Sequence, residues 1–161
     1  MTTQIDAKPG FPEIVMSREF AAPAALLYRA YTDPDLLVQW LGPRELSMTI
    51  DTMDVRDGGA WRFEHHDPHG RTHGFHGVFH SVVPQRSLVR TFEYEGEPGH
   101  VSLETAEFED LGDGRCRVNS RAMFQSVADR DQMINNGMER GVEEGYAQLD
   151  ELLAKVTVST S

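Results

Sequence analysis

The chain has 161 residues, enough for one domain with a substantial core. Lys and Arg number 15 against 26 Asp and Glu, a net charge of −11 without any basic cluster, which argues against nucleic acid and anionic membrane surfaces as partners. One cysteine, Cys116, cannot form an internal disulfide, and no apolar run reaches signal-peptide or membrane-spanning length, so a cytoplasmic protein, monomeric or homodimeric, is expected.

Residues 1–10 are polar and irregular, and residues 156–161 read as a frayed tail, leaving residues 11–155 as the expected single domain. Glu13 to Phe20 alternates loosely and predicts a first strand. Pro23 suits a first helical turn and opens a short helix over Ala24 to Thr32. Asp33 is placed as the N-cap of a second short helix, Asp35 to Leu41, which Gly42-Pro43 ends. Six strands follow, divided by turn chemistry such as Asp57-Gly58-Gly59, Asp67-Pro68-His69-Gly70 and Gly112-Asp113-Gly114. They run over Leu46 to Val55, Ala60 to His66, Thr72 to Val83, Leu88 to Tyr94, His100 to Glu109 and Arg115 to Phe124. A long helix from Ala128 to Lys155 closes the chain.

On that helix Met138, Val142, Tyr146, Leu149 and Leu153 recur at steps of three and four, one helical face. Gly137, Gly141 and Gly145 repeat every four residues beside it. Each interior glycine costs a helix about 1 kcal/mol relative to alanine. Such a stripe implies close approach by a curved sheet, or by a ligand held between sheet and helix. An antiparallel sheet of this size needs one face covered, and one long helix is available to cover it. The fold class is therefore α+β, a curved antiparallel sheet wrapped around the C-terminal helix.

Several local signatures, in order, give a resemblance. Arg18-Glu19-Phe20-Ala21-Ala22-Pro23 with Leu27-Tyr28-Arg29-Ala30-Tyr31-Thr32-Asp33-Pro34 is followed by Leu37-Val38-Gln39-Trp40-Leu41-Gly42-Pro43. Asp54-Val55-Arg56-Asp57-Gly58-Gly59-Ala60-Trp61-Arg62 and the pair of strands through Gly77-Val78-Phe79 and Leu88-Val89-Arg90-Thr91-Phe92 come next. Over residues 11–155 the chain resembles the bacterial homologues of the activator of heat-shock-protein-90 ATPase, within the START-like or SRPBCC superfamily. The resemblance implies the helix-grip fold. Where that family usually has Gly-Trp in its last helix, Gly145 here precedes Tyr146, which enlarges the space and adds a hydroxyl.

Six of the seven histidines fall between His65 and His80: His65, His66, His69, His73, His76 and His80. Their spacing matches no metal motif, and solvated histidines on a hairpin are the simpler reading; no metal or other cofactor is expected. A hairpin turning at Pro68-His69 would pair His65 with Thr72 and put His65, His76 and His80 on one face. If Trp61 and Phe63 face the interior, period two brings that row with them, as candidate general acids or bases. The aromatic set Trp40, Trp61, Phe63, Phe79, Phe92, Phe108 and Tyr146, with Met138 and Val142, is either core or the lining of a ligand pocket. The Asp54-Arg56-Asp57 group beside Gly58-Gly59 reads as structural.

The leading expectation is a non-catalytic binding protein for a small hydrophobic or aromatic molecule, lipid- or polyketide-like. A second is a polyketide cyclase or aromatase using His65, His76 or His80, which related folds support. The resemblance also suggests a stress-related chaperone partner. The named activators carry a separate N-terminal chaperone-binding domain, and with about ten residues before the first strand that domain is expected to be missing.

Overall fold

The computed structural model describes residues 1–159, with side chains described as far as residue 156. Eight strands form one antiparallel sheet: β1 (Gln4–Asp6), β2 (Glu13–Phe20), β3 (Ser47–Met53), β4 (Ala60–His66), β5 (Thr72–Val83), β6 (Ser87–Tyr94), β7 (Val101–Gly112) and β8 (Arg115–Met123). Their spatial order is β1-β2-β8-β7-β6-β5-β4-β3. The β3-to-β8 run is a meander of short turns, and β2 pairs with β8 to complete it. Helices α1 (Ala24–Thr32) and α2 (Pro34–Leu37) carry the chain from β2 to the far edge at β3.

Alternation decides which side is covered. Ile14, Arg18 and Phe20 on β2 share a face with Val118 and Cys116 on β8 and with Phe108 on β7. Against it lie Leu27 of α1 and Tyr146, Leu149, Leu152 and Leu153 of helix α4 (Met138–Ser159). Asp33 caps α2 through an Asp35 N–H bond of 3.0 Å, and the Trp40 indole donates to the Ala30 carbonyl at 3.0 Å, tying the two short helices together.

Three expectations need correction. Gln4–Asp6, placed in the irregular N-terminus, forms edge strand β1 on β2, because backbone pairing needs no hydrophobic pattern to announce it. The expected continuous helix over 128–155 is two helices, α3 (Val127–Asn135) and α4, separated at Gly137 with φ +82. That angle suits glycine and ends α3, so Gly137 is no part of a helical stripe. Helix α4 also continues past residue 156 to Ser159, while residues 160 and 161 of the expected tail lie outside the described residues.

The close approach that explains the remaining glycines comes from the turn after α2. A Cβ on Gly145 would lie 3.2 Å from the Trp40 carbonyl oxygen, and one on Gly141 3.7 Å from the Pro43 ring. Gln148 holds the same turn by donating to the Trp40 and Gly42 carbonyls at 3.2 and 2.9 Å.

Candidate functional site

Between the sheet and α4 lies a cavity of about 380 Å³. Its walls are largely apolar and aromatic: Phe63 from β4, Phe75 and Phe79 from β5, Phe92 from β6, Trp40 from the turn after α2. Helix α4 contributes Met138, Gly141, Val142, Gly145 and Tyr146. Without bulk at Gly141 and Gly145 the helix closes on the turn while leaving space farther along the sheet.

Among the polar residues of the wall, which also include Thr105, Ser120 and Arg121, three points stand out. Arg90 on β6 donates through Nε to Glu104 on the adjoining β7 at 3.1 Å, and its guanidinium lies 4.2 Å over the Trp61 ring. Tyr31 of α1 donates to the Tyr146 hydroxyl at 3.4 Å. Burial pushes both phenols up from their ordinary value, Tyr31 well up, and both remain neutral donors at physiological pH.

His65 is the third polar point. Its ring lines the cavity and is 8% exposed, and Nε2 is buried without a hydrogen-bond partner. Gly42, at φ +100, sits directly on the ring: a Cβ there would fall 2.9 Å from Cε1 and 3.0 Å from Nε2. Burial lowers the His65 pKa, and the nearby Leu41 carbonyl opposes that effect. A neutral imidazole in an aromatic wall is the result.

The other two candidates do not share that face. Residue His65 pairs with His73, not Thr72, so Phe63 faces Phe75 and Arg62 faces His76. The one-residue difference turns His76 and His80 outward. His76 meets Glu95 at 2.9 Å beside Arg62, and His80 is exposed. The turn spans Asp67 to Arg71, closed by the Asp67 carboxylate accepting from the His69 and Arg71 amides, which lengthens the loop by the residue that shifts the register. His66 binds Thr49 and Thr72, and His73 binds the Tyr94 hydroxyl. Among the described residues no three His, Cys, Asp or Glu are grouped to hold a metal ion.

Two aromatics of the expected lining sit elsewhere. Trp61 is 1% exposed beneath Arg90, and Gly77 leaves room for it, since a Cβ there would meet the indole nitrogen at 2.7 Å. Phe108 packs edge-on against Tyr28 and Tyr31. Conversely, Phe75, Arg90, Glu104 and Tyr31 were not anticipated. Leu88, Arg90 and Phe92 alternate on β6, so period two alone would have aimed Arg90 inward.

Residues 21–154 match the family described as Activator of Hsp90 ATPase homolog 1-like protein. The chain belongs to this family. A crystal structure of a protein from Rhodobacter sphaeroides is 29% identical, the match covering 96% of this chain and 99% of that one with a TM-score of 0.86. A solution structure of a protein from Arthrobacter aurescens, 23% identical over 94% of this chain and 91% of its own, has the same fold with a TM-score of 0.86. The AHSA1 protein from Silicibacter pomeroyi, 22% identical over 88% and 97% respectively, gives 0.73. No match is found among curated proteins. Membership of the Hsp90-activator-homologue family brings the helix-grip fold, an architecture that supports ligand binding in general. No helix among the described residues is long and apolar enough to cross a membrane.

Proposed function

We propose that this protein binds a small hydrophobic or aromatic molecule between α4 and the sheet, without catalysing its conversion. The observation that carries the reading is the cavity of about 380 Å³, within the size range of small-molecule sites and walled by aromatic rings with a smaller set of polar side chains between them. Trp40, Phe63, Phe79, Phe92, Met138, Val142 and Tyr146 are the proposed contacts. The Arg90–Glu104 pair, the Tyr31–Tyr146 pair and His65 would orient the polar substituents of a flat, lipid- or polyketide-like body.

An amide-resolved NMR titration against lipids, flavonoids and polyketide-like aromatics tests this. Saturable shifts on Phe63, Phe79, Phe92 and the 138–146 face are expected. A flat response across the panel would make the interior a filled core and end the reading.

A cyclase-like enzyme is the second reading, favoured by the buried, unpartnered Nε2 of His65. With His76 and His80 outside, it now depends on His65 as the acid or base. A His65→Gln variant that binds but no longer turns over a cyclisable polyketide would support it, and turnover at the unaltered rate would end it.

A further inference from the structure

A second chamber, of about 270 Å³, lies under α3 and shares only Phe75 and Phe92 with the main cavity. Those two rings meet at a centroid distance of 5.4 Å and form the partition between the two spaces. On the far side of the partition Tyr94 stands 5.1 Å from Phe75, and Phe124, at the end of β8, completes a wall of four rings. All four are only half-buried, although they sit on the covered face.

Two carboxylates, Glu97 and Asp129, line this chamber beside the His100 ring, and neither Lys nor Arg does. Each carboxylate is held by one oxygen, Glu97 Oε1 accepting from Gln132 Nε2 at 2.8 Å and Asp129 Oδ1 bonded to the His100 ring at 2.9 Å. The second oxygens, Glu97 Oε2 and Asp129 Oδ2, take no part in these two bonds.

Aromatic faces attract cations through their quadrupole, and carboxylates at the rim supply the complementary charge. Four rings, two carboxylates and no lining Lys or Arg are the reverse of what a fatty acid or phosphate would need. We propose that this chamber is a second binding site, selective for an organic ammonium ion. Its volume takes a trimethylammonium-sized head, with the two held carboxylates as preformed acceptors. The main cavity, by contrast, is lined by Arg90 and Arg121 beside Glu104.

The probe is choline, and the comparison is 3,3-dimethylbutan-1-ol, which keeps its shape without the charge. Both are titrated into the 161-residue protein and followed by NMR at Tyr94, Phe124 and Met133, which line this chamber and not the main one. Saturable shifts with choline are expected there, with the neutral alcohol about tenfold weaker. Asp129→Asn keeps an oxygen for His100, removes the charge, and should weaken choline about tenfold while leaving the alcohol unchanged. Phe124→Leu keeps apolar packing, removes one ring, and should weaken choline about threefold. Equal affinity for choline and alcohol, or no saturable choline shift at these residues, overturns the proposal. Neither result touches the main cavity, which is read at Phe63, Phe79 and Tyr146.

Discussion

The backbone of Gly145 in α4 lies so close to Gly42 that a Cβ on Gly145 would stand 3.3 Å from the Gly42 nitrogen, and 3.2 Å from the Trp40 oxygen. The atoms it would press on are backbone, pinned by Gln148 and by the Trp40 indole bond to Ala30. Gly145→Ala therefore trades about 1 kcal/mol of helix propensity against displacement of a fixed turn, and a net loss of about 1 kcal/mol is expected. Gly141→Ala meets only Pro43 carbons at 3.7 Å, an ordinary contact, and should gain about 0.5–1 kcal/mol. Urea unfolding of the two variants gives the test, and a stabilised Gly145→Ala would show that the turn yields.

Arg18 is 7% exposed and grips Asp150 by a two-bond fork of 2.9 and 2.7 Å, with its guanidinium 4.6 Å from the centre of the Phe20 ring. It joins β2 to α4. Asp150→Asn leaves the Arg18 charge without its counter-ion, at a cost of about 2 kcal/mol; Asp150 is half-exposed and water recovers part of the loss. Replacing both, as Arg18→Met with Asp150→Leu, should return most of that stability. A double variant no better than Asp150→Asn would mean that the fork itself, rather than the stranded charge, sets the cost.

The succession of strands β2 to β8, the α2 cap at Asp33 and the aromatic face of β4 were legible in the sequence because period and turn chemistry are local. The register of β4 on β5 was not. It depends on whether the turn after His66 closes at Pro68-His69 or opens from Asp67 to Arg71, and the Asp67 side chain decides that through two backbone amides. One residue of slip exchanged His76 for Phe75 on the cavity wall. Gly137 was read as part of a stripe since spacing carries no φ, and only the backbone shows it as the break between α3 and α4. Gly141 and Gly145 did report a close approach, but the partner is a turn about a hundred residues earlier in the chain, beyond the reach of a helical pattern.

Outside the cavity, Glu95 accepts two bonds from Arg62 and one from His76, which hold its pKa down from 4.5 to about 2. The sign follows from the unfolded chain, which takes up the proton near 4.5 while the folded protein does not. Stability from this group is full above pH 4.5 and is lost as pH falls toward 2. Glu95→Gln should therefore flatten the decline of the urea midpoint over that window relative to wild type. Curves that fall in parallel would place the acid sensitivity in other carboxylates.

His65 titrates with the same sign for a different reason. Its folded pKa is lowered from 6.5 first by burial, and the aromatic wall and the Gly42 backbone leave Nε2 unpartnered. Below pH 6.5 the unfolded chain protonates this residue while the folded protein resists, so stability drains as pH falls from 6.5 to the depressed folded value. His65→Leu removes the titrating group and the orphaned nitrogen together, at a cost or gain within about 1 kcal/mol at pH 7.5. The variant should lose less stability than wild type between pH 7.5 and 5.5, because the group whose pKa burial lowers is gone. The same variant should bind hydroxylated aromatics more weakly than their unhydroxylated counterparts by comparison with wild type, since the wall has lost its hydrogen-bonding ring. Wild-type and variant pH profiles of equal slope would mean that the imidazole is protonated in the folded state, with water reaching Nε2.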